Sequence, residues 1–204
     1  MCAGNSIESG SDLLVDRYHS GGYCFPVGAV PVSMATDAAG RIAALIKDPP
    51  AGLNYPRNLK AHLLFDWVYK LSVHPTVLDA EKKLSTPIFC CKQQMYLPKQ
   101  RTAPNISIGT RMRTTGISIH HCLLAHSTGT NQTANPRIGL GIRYMSPHVR
   151  QTEGPAMSSI PVSGEDRHGY YKVDAPPTDH PGPDAIRSHA RSMAPHAAEN
   201  YATA

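Results

Sequence analysis

Charge and aromatic rings are both scarce in this 204-residue sequence, at 17% and 6% of its residues. Its basic residues are scattered, and no stripe of lysine and arginine interleaves with stacking rings, so the pattern that tracks a nucleic acid strand is missing. No nucleic acid partner is expected. A long apolar run is also lacking: nothing approaches the roughly 18 residues that a membrane-spanning helix requires. There is no C-x-x-C spacing, and the five cysteines, Cys2, Cys24, Cys90, Cys91 and Cys122, are odd in number and include an adjacent pair with poor geometry for a bridge. They read as reduced thiols of an intracellular protein. The start, MCAGNSIESGSD, has no basic segment leading into an apolar run, and the final ATA is not a peroxisomal tripeptide. A cytoplasmic location is the expectation. The formal charge of +5 suits a small acidic ligand, although a solvated surface is its commoner cause.

What the sequence does have is turn-formers, with 18 prolines and 16 glycines. These favour short strands and many turns over a helical bundle, and the length suits one core. Residues 1–16 are small and polar, a flexible lead. Tyr18 to Val32 mixes apolar residues with glycine and proline, predicting a short strand. From Ser33 to Lys47, Met34, Ala38, Ile42 and Leu45 fall on one helical face, and Pro49 and Pro50 stop the helix. Asn58 to Leu71 predicts a second helix, with Leu59, Leu63 and Trp67 inward and the stem of Lys70 along the same surface. Pro75 suits the first turn of a third helix, PTVLDAEKKL. The period then changes. Pro87 to Leu97 suits a strand, as do Ile117 to His126 and Arg137 to Met145, with the polar loop STGTNQTANP between the last two. From Gln151 the composition turns to Pro, Gly, Ser and His, with GEDRHGYYKV as an ordered island, and 173–204 reads as a flexible or weakly helical tail.

His126 ends one of those strands and Arg137 opens the next, so antiparallel pairing between them would set the two residues side by side at one sheet end. A neutral imidazole can ligate a metal, and a guanidinium fork holds the far carboxylate of a dicarboxylic acid better than an ammonium does. A histidine beside a polar loop is ordinarily a hydrogen-bonded surface residue, and such an arginine is ordinarily solvated. The surrounding residues single this pair out.

The run GISIHHCLLAHSTGTNQTANPRIGLGIRYMSPHVRQ resembles the phytanoyl-CoA dioxygenase family: a Gly-led strand ending in His, a Ser/Thr/Asn turn, an Arg eleven positions on, and an apolar strand ending in Arg-Tyr. VHPTVLDAEKKL, QQMYLPK and GEDRHGYY extend the likeness over most of residues 60–172. The resemblance implies a fold that is mainly β with N-terminal helices, an α+β chain built on a double-stranded β-helix, or jelly roll. It implies an Fe(II)- and 2-oxoglutarate-dependent dioxygenase that hydroxylates or desaturates a small organic substrate in secondary-metabolite biosynthesis, with ascorbate as a compatible reductant. By position, it makes His126 the distal iron ligand and Arg137 the anchor for the far carboxylate of 2-oxoglutarate. Thr128 becomes a small polar neighbour of that carboxylate, and Gln94 a first-strand contact to the co-substrate.

One motif of that family is missing. Its iron site takes a second histidine and a carboxylate from H-x-D or H-x-E, and none of the eleven histidines here is followed two positions later by Asp or Glu. His120 cannot substitute, since six strand residues separate it from His126, about 20 Å. The domain, residues 17–172, therefore reads as internally shortened near Gln100 and Arg101, where the motif and several strands would lie. An open jelly roll of that kind is expected to self-associate through exposed strand edges. The alternative function is that of an inactive relative that binds a metabolite or a partner.

Overall fold

The computed structural model describes residues 9–53, 59–84, 88–99, 116–121, 123–124, 137–154, 157–178 and 181–200. In chain order the elements are α1 (Ser9–Gly21), β1 (Tyr23–Ala29), α2 (Val32–Lys47), a 3-10 turn (Ala61–Leu63), α3 (Asp66–Ser72) and α4 (Pro75–Lys82). There follow β2 (Ile88–Lys99), β3 (Gly116–His120), β4 (Arg137–Met145), β5 (Ser158–Ser163), β6 (Lys172–Val173) and α5 (Pro183–Asn200). The chain is a mixture of helix and strand. The expected dominance of strand is not met among the described residues, where helices hold more of the chain and neither sheet closes into a barrel.

The strands form two sheets, a pair β1–β3 and a four-stranded sheet in the order β4–β2–β5–β6. Among the described residues, the antiparallel pairing expected between the strands leading to His126 and from Arg137 does not occur. Instead β3 pairs with β1, and β4 pairs with β2. The expectation rested on sequence adjacency, whereas β3 and β4 belong to different sheets. Proline marks three of the five register shifts. Those three fall at Pro26 in β1, at Pro98 in β2 and at the Pro161–Ser163 end of β5, as expected of a residue that cannot donate to a ladder, and the other two fall at Gly28 and Cys91.

Helices cover one face of the four-stranded sheet. Leu140 on β4 is buried with Ala38 and Ile42 of α2, Ala61 of the 3-10 turn, and Val68 and Leu71 of α3, while Ile142 and Ile186 pack at the margin. The α2 stripe predicted from spacing is the one that packs: Ala38 and Ile42 are buried, with Met34 and Leu45 beside them. A second cluster joins Cys24 and Val27 of β1 and Ile119 of β3 to Ala80 of α4, flanked by Leu14 and Tyr18 of α1.

The single helix expected over 58–71 is broken. Lys60 adopts φ 49° and ψ 38°, a left-handed conformation that costs a side-chain-bearing residue roughly 1–2 kcal/mol. The chain then makes the short 3-10 turn before α3 starts at Asp66. Of the alternatives left open for the tail, α5 is the helical one, and it buries Ala185, His189, Ser192 and Met193. β5, within the stretch that composition left unassigned, buries Ser158, Ser159 and Ile160. Among the described residues no helix is long and apolar enough to cross a membrane.

Candidate functional site

Of the four residues singled out from sequence, His126 and Thr128 lie outside the described residues. Gln94 and Arg137 are placed by their backbone alone. Gln94 pairs with Gly141 across the β2–β4 ladder, and Arg137, the first residue of β4, pairs with Lys99 at the end of β2. Cross-strand partners share a sheet face, and residues two apart on a strand alternate back to it. Positions 137, 139, 141 and 143 of β4 are therefore one set, joined across the ladder by 94. Leu140, Ile142 and Tyr144 are the other set, and Leu140 and Ile142 are the ones packed on the helices. The two proposed co-substrate positions thus belong to one alternation of one sheet, opposite the helix layer.

Among the described residues no group of three or more His, Cys, Asp or Glu side chains lies close enough to hold a metal ion. With no H-x-D or H-x-E in the sequence, these residues do not fit an iron centre. His120 does not belong to one. Its Nε2 lies 3.0 Å from Ser118 Oγ, and its ring stacks on Tyr23 at 6.2 Å between centroids.

Two polar features were missed from sequence. The first is a cavity of about 90 Å³ between the two sheets, bounded by α4, β3 and β4. Val77, Ile117, Ile119, Leu140 and Ile142 make its wall apolar, and the half-buried Glu81 is the one carboxyl-bearing side chain among the described residues that line it. Burial pushes that carboxyl from 4.5 to about 7. Across the small cluster the Cys24 thiol is also raised, first by burial and then by the charge of Glu81, against a lowering hydrogen bond from the Ile119 backbone. Glu81 was legible in principle. It stands four residues after Val77 and three before Leu84, on the face that α4 turns inward.

The second feature joins residues far apart in sequence, so no local pattern announces it. The Lys60 ammonium is buried and lies 2.7 Å from Ser158 O, 2.7 Å from Ser158 Oγ, 2.7 Å from Ser192 Oγ and 3.3 Å from Asp174 Oδ2. The serine oxygens lie 2.6 Å apart, and Ser192 donates to Asp174 Oδ2 at 3.2 Å. Beside them the buried His189 places Nε2 2.8 Å from Leu59 O, and burial holds its pKa below the usual histidine range. No cavity opens on this cluster among those described. It ties the 3-10 turn, β5 and α5 into one unit.

Glu81 makes stability depend on pH. Its folded-state pKa lies above its unfolded value, so the folded chain holds the proton more tightly; stability is full below about 4.5 and falls as pH rises towards 7. A loss of roughly 3 kcal/mol across that window is expected, and Glu81→Gln should abolish it. Urea midpoints at pH 5 and pH 8 test this: parallel pH profiles for wild type and variant would show that the carboxyl is not desolvated.

No protein-family model matches the chain, and no curated protein does. Solved structures do. The non-haem monooxygenase ThoJ, in its nickel complex, aligns with a TM-score of 0.76 at 20% identity, covering 90% of this chain and 96% of that one. The apo form of ThoJ gives 0.76 at 18% identity, covering 89% and 95%. The non-haem alpha-ketoglutarate-dependent epimerase SnoN from nogalamycin biosynthesis gives 0.57 at 16% identity, covering 69% of this chain and 84% of its own. SnoN has also been solved with Fe3+, alpha-ketoglutarate and nogalamycin RO. At these identities the fold is what is shared.

Proposed function

We propose that this chain is a non-haem, 2-oxoglutarate-dependent oxygenase-like protein of the phytanoyl-CoA dioxygenase kind, acting on a small organic substrate in secondary metabolism. The observation that carries the reading is the alignment with a non-haem monooxygenase over 90% of the chain at a TM-score of 0.76. In this reading 2-oxoglutarate lies on the sheet face of positions 94 and 137. Arg137 holds the far carboxylate in its guanidinium fork, Thr128 donates a hydroxyl beside it, and Gln94 hydrogen-bonds the co-substrate from the neighbouring strand. The assignment of these roles follows the resemblance in sequence. It is supported by the ladder register, which joins 94 and 137 in one alternation. His126 is the metal-binding residue of this reading, and the described residues supply no companion ligands.

A second reading has its own support: the missing H-x-D and the lack of a three-ligand cluster among the described residues favour a relative that binds 2-oxoglutarate without turning it over. Succinate release from 2-oxoglutarate, with Fe(II), ascorbate and oxygen supplied, separates the two. The first reading expects slow uncoupled succinate formation that His126→Ala abolishes. Binding of 2-oxoglutarate without succinate selects the second, and an absence of both would sink the proposal.

A further inference from the structure

The cavity between the sheets lies on the helix-packed side of β4, the alternation of Leu140, Ile142 and Tyr144. Positions 94 and 137 belong to the other alternation, so the cavity is separate from the proposed co-substrate face. Its volume of about 90 Å³ has room for a small organic molecule. An engineered apolar cavity of roughly 150 Å³ accepts benzene, and on that scale this one takes about four non-hydrogen atoms, the size of a short alkyl chain.

Among the described residues that line the cavity, one polar side chain, Glu81, is left to meet such a molecule. Tyr144 donates its hydroxyl to Ser72 O at 2.7 Å, and Ser118 Oγ is engaged by His120 at 3.0 Å. The Glu81 carboxyl has no hydrogen-bond or ion-pair partner among the described residues, and its only described electrostatic neighbour is the neutral thiol of Cys24. A desolvated carboxyl with no partner is costly, and a natural core ordinarily replaces it with an apolar residue or supplies a cation. Among the described residues no cation meets Glu81, and the cavity leaves space for one.

We propose that this cavity binds a short-chain aliphatic amine, its alkyl chain against Val77, Ile119, Leu140 and Ile142 and its ammonium on the Glu81 carboxylate. The apolar wall selects the chain by size, and the lone carboxylate selects a cation over a neutral or anionic group of equal length. Because the ammonium pairs with the ionised carboxyl, binding draws the proton off Glu81, and affinity tightens as pH rises through the range in which that group titrates. From β1 the carboxyl faces Cys24, which stays a thiol there. Among the described residues that line the cavity from α3, α4, β3 and β4, the other side chains are apolar apart from Ser118 and Tyr144, whose hydroxyls are committed to His120 and Ser72.

The test is calorimetric titration of the full chain with n-butylammonium, n-butanol and butyrate, at pH 6 and pH 8. Butylammonium is expected to bind at pH 8 at least about tenfold more tightly than butanol, and to weaken by about tenfold at pH 6. Butyrate is expected not to bind. Glu81→Gln, checked for folding by circular dichroism, should lose the preference for the amine while keeping the affinity for butanol. In wild type, saturating butylammonium should also lower the NMR-measured pKa of the Glu81 carboxyl by about one unit or more. Equal affinity for amine and alcohol, amine binding that survives Glu81→Gln, an unmoved Glu81 pKa, or no binding at all would each overturn the proposal. None of these outcomes depends on 2-oxoglutarate.

Discussion

Replacing Lys60 with methionine is expected to lower the stability of the fold by about 3–5 kcal/mol, read as a shift in the urea midpoint followed by far-ultraviolet circular dichroism. Lys60 carries two unfavourable features, a left-handed backbone and a buried ammonium, and they belong together. The positive φ at the entry to the 3-10 turn lets the side chain reach the junction of β5 and α5, where Ser158 O, Ser158 Oγ, Ser192 Oγ and Asp174 Oδ2 receive its three N–H groups. Methionine keeps the stem and removes the charge, stranding the Asp174 carboxylate and two serine hydroxyls in a buried setting. Asp174→Asn should cost less, about 1–3 kcal/mol, because the serines and the Ser158 carbonyl still hold the ammonium. Adding Asp174→Asn to Lys60→Met should cost less than the sum of the two, since the stranded charge is then gone. A Lys60→Met variant within about 1 kcal/mol of wild type would mean that the ammonium escapes to water, and the cluster would lose its structural role.

How much of this was legible in the sequence depends on how local the cause is. The stripe of α2, the Pro75 start of α4 and the strands β2 and β4 follow from spacing and from proline, and the structure has them close to where they were expected. The break at Lys60 was not legible. Leu59, Leu63 and Trp67 keep helical spacing through it, and the reason for the break lies 98 and 132 residues away, at Ser158 and Ser192. The same holds for α5. Its sequence has little continuous apolar patterning, and it is fixed partly by polar contacts, His189 to Leu59 O and Ser192 to Lys60. Strand pairing failed for a related reason, since adjacency in the chain favoured β3 with β4 while burial put Ile119 beside Cys24 and α4, and Leu140 beside α2 and α3. The Gln94 and Arg137 positions came from resemblance, and nothing in composition or period would have joined them.

Replacing Arg137 with alanine is expected to weaken 2-oxoglutarate binding roughly 100-fold or more, measured by calorimetry on the full chain. The expectation follows from charge and geometry: a bidentate guanidinium–carboxylate contact in a shielded site is worth roughly 2–5 kcal/mol when one partner is truncated. Arg137→Lys should fall between alanine and wild type, because an ammonium keeps the charge but loses the planar fork. Gln94→Ala should weaken binding less, about three- to tenfold, as suits one neutral hydrogen bond. Arg143 provides the control. It shares the alternation of Arg137 on β4 but is exposed and six residues along the strand, about 20 Å away, so Arg143→Ala should leave binding unchanged. The comparison separates a specific anchor from the general attraction of a basic chain for a dicarboxylate. If Arg137→Ala and Arg143→Ala weaken binding alike, or if neither does so by more than about threefold, Arg137 is not the anchor. The sheet face shared by positions 94 and 137 would then have no claim on the co-substrate.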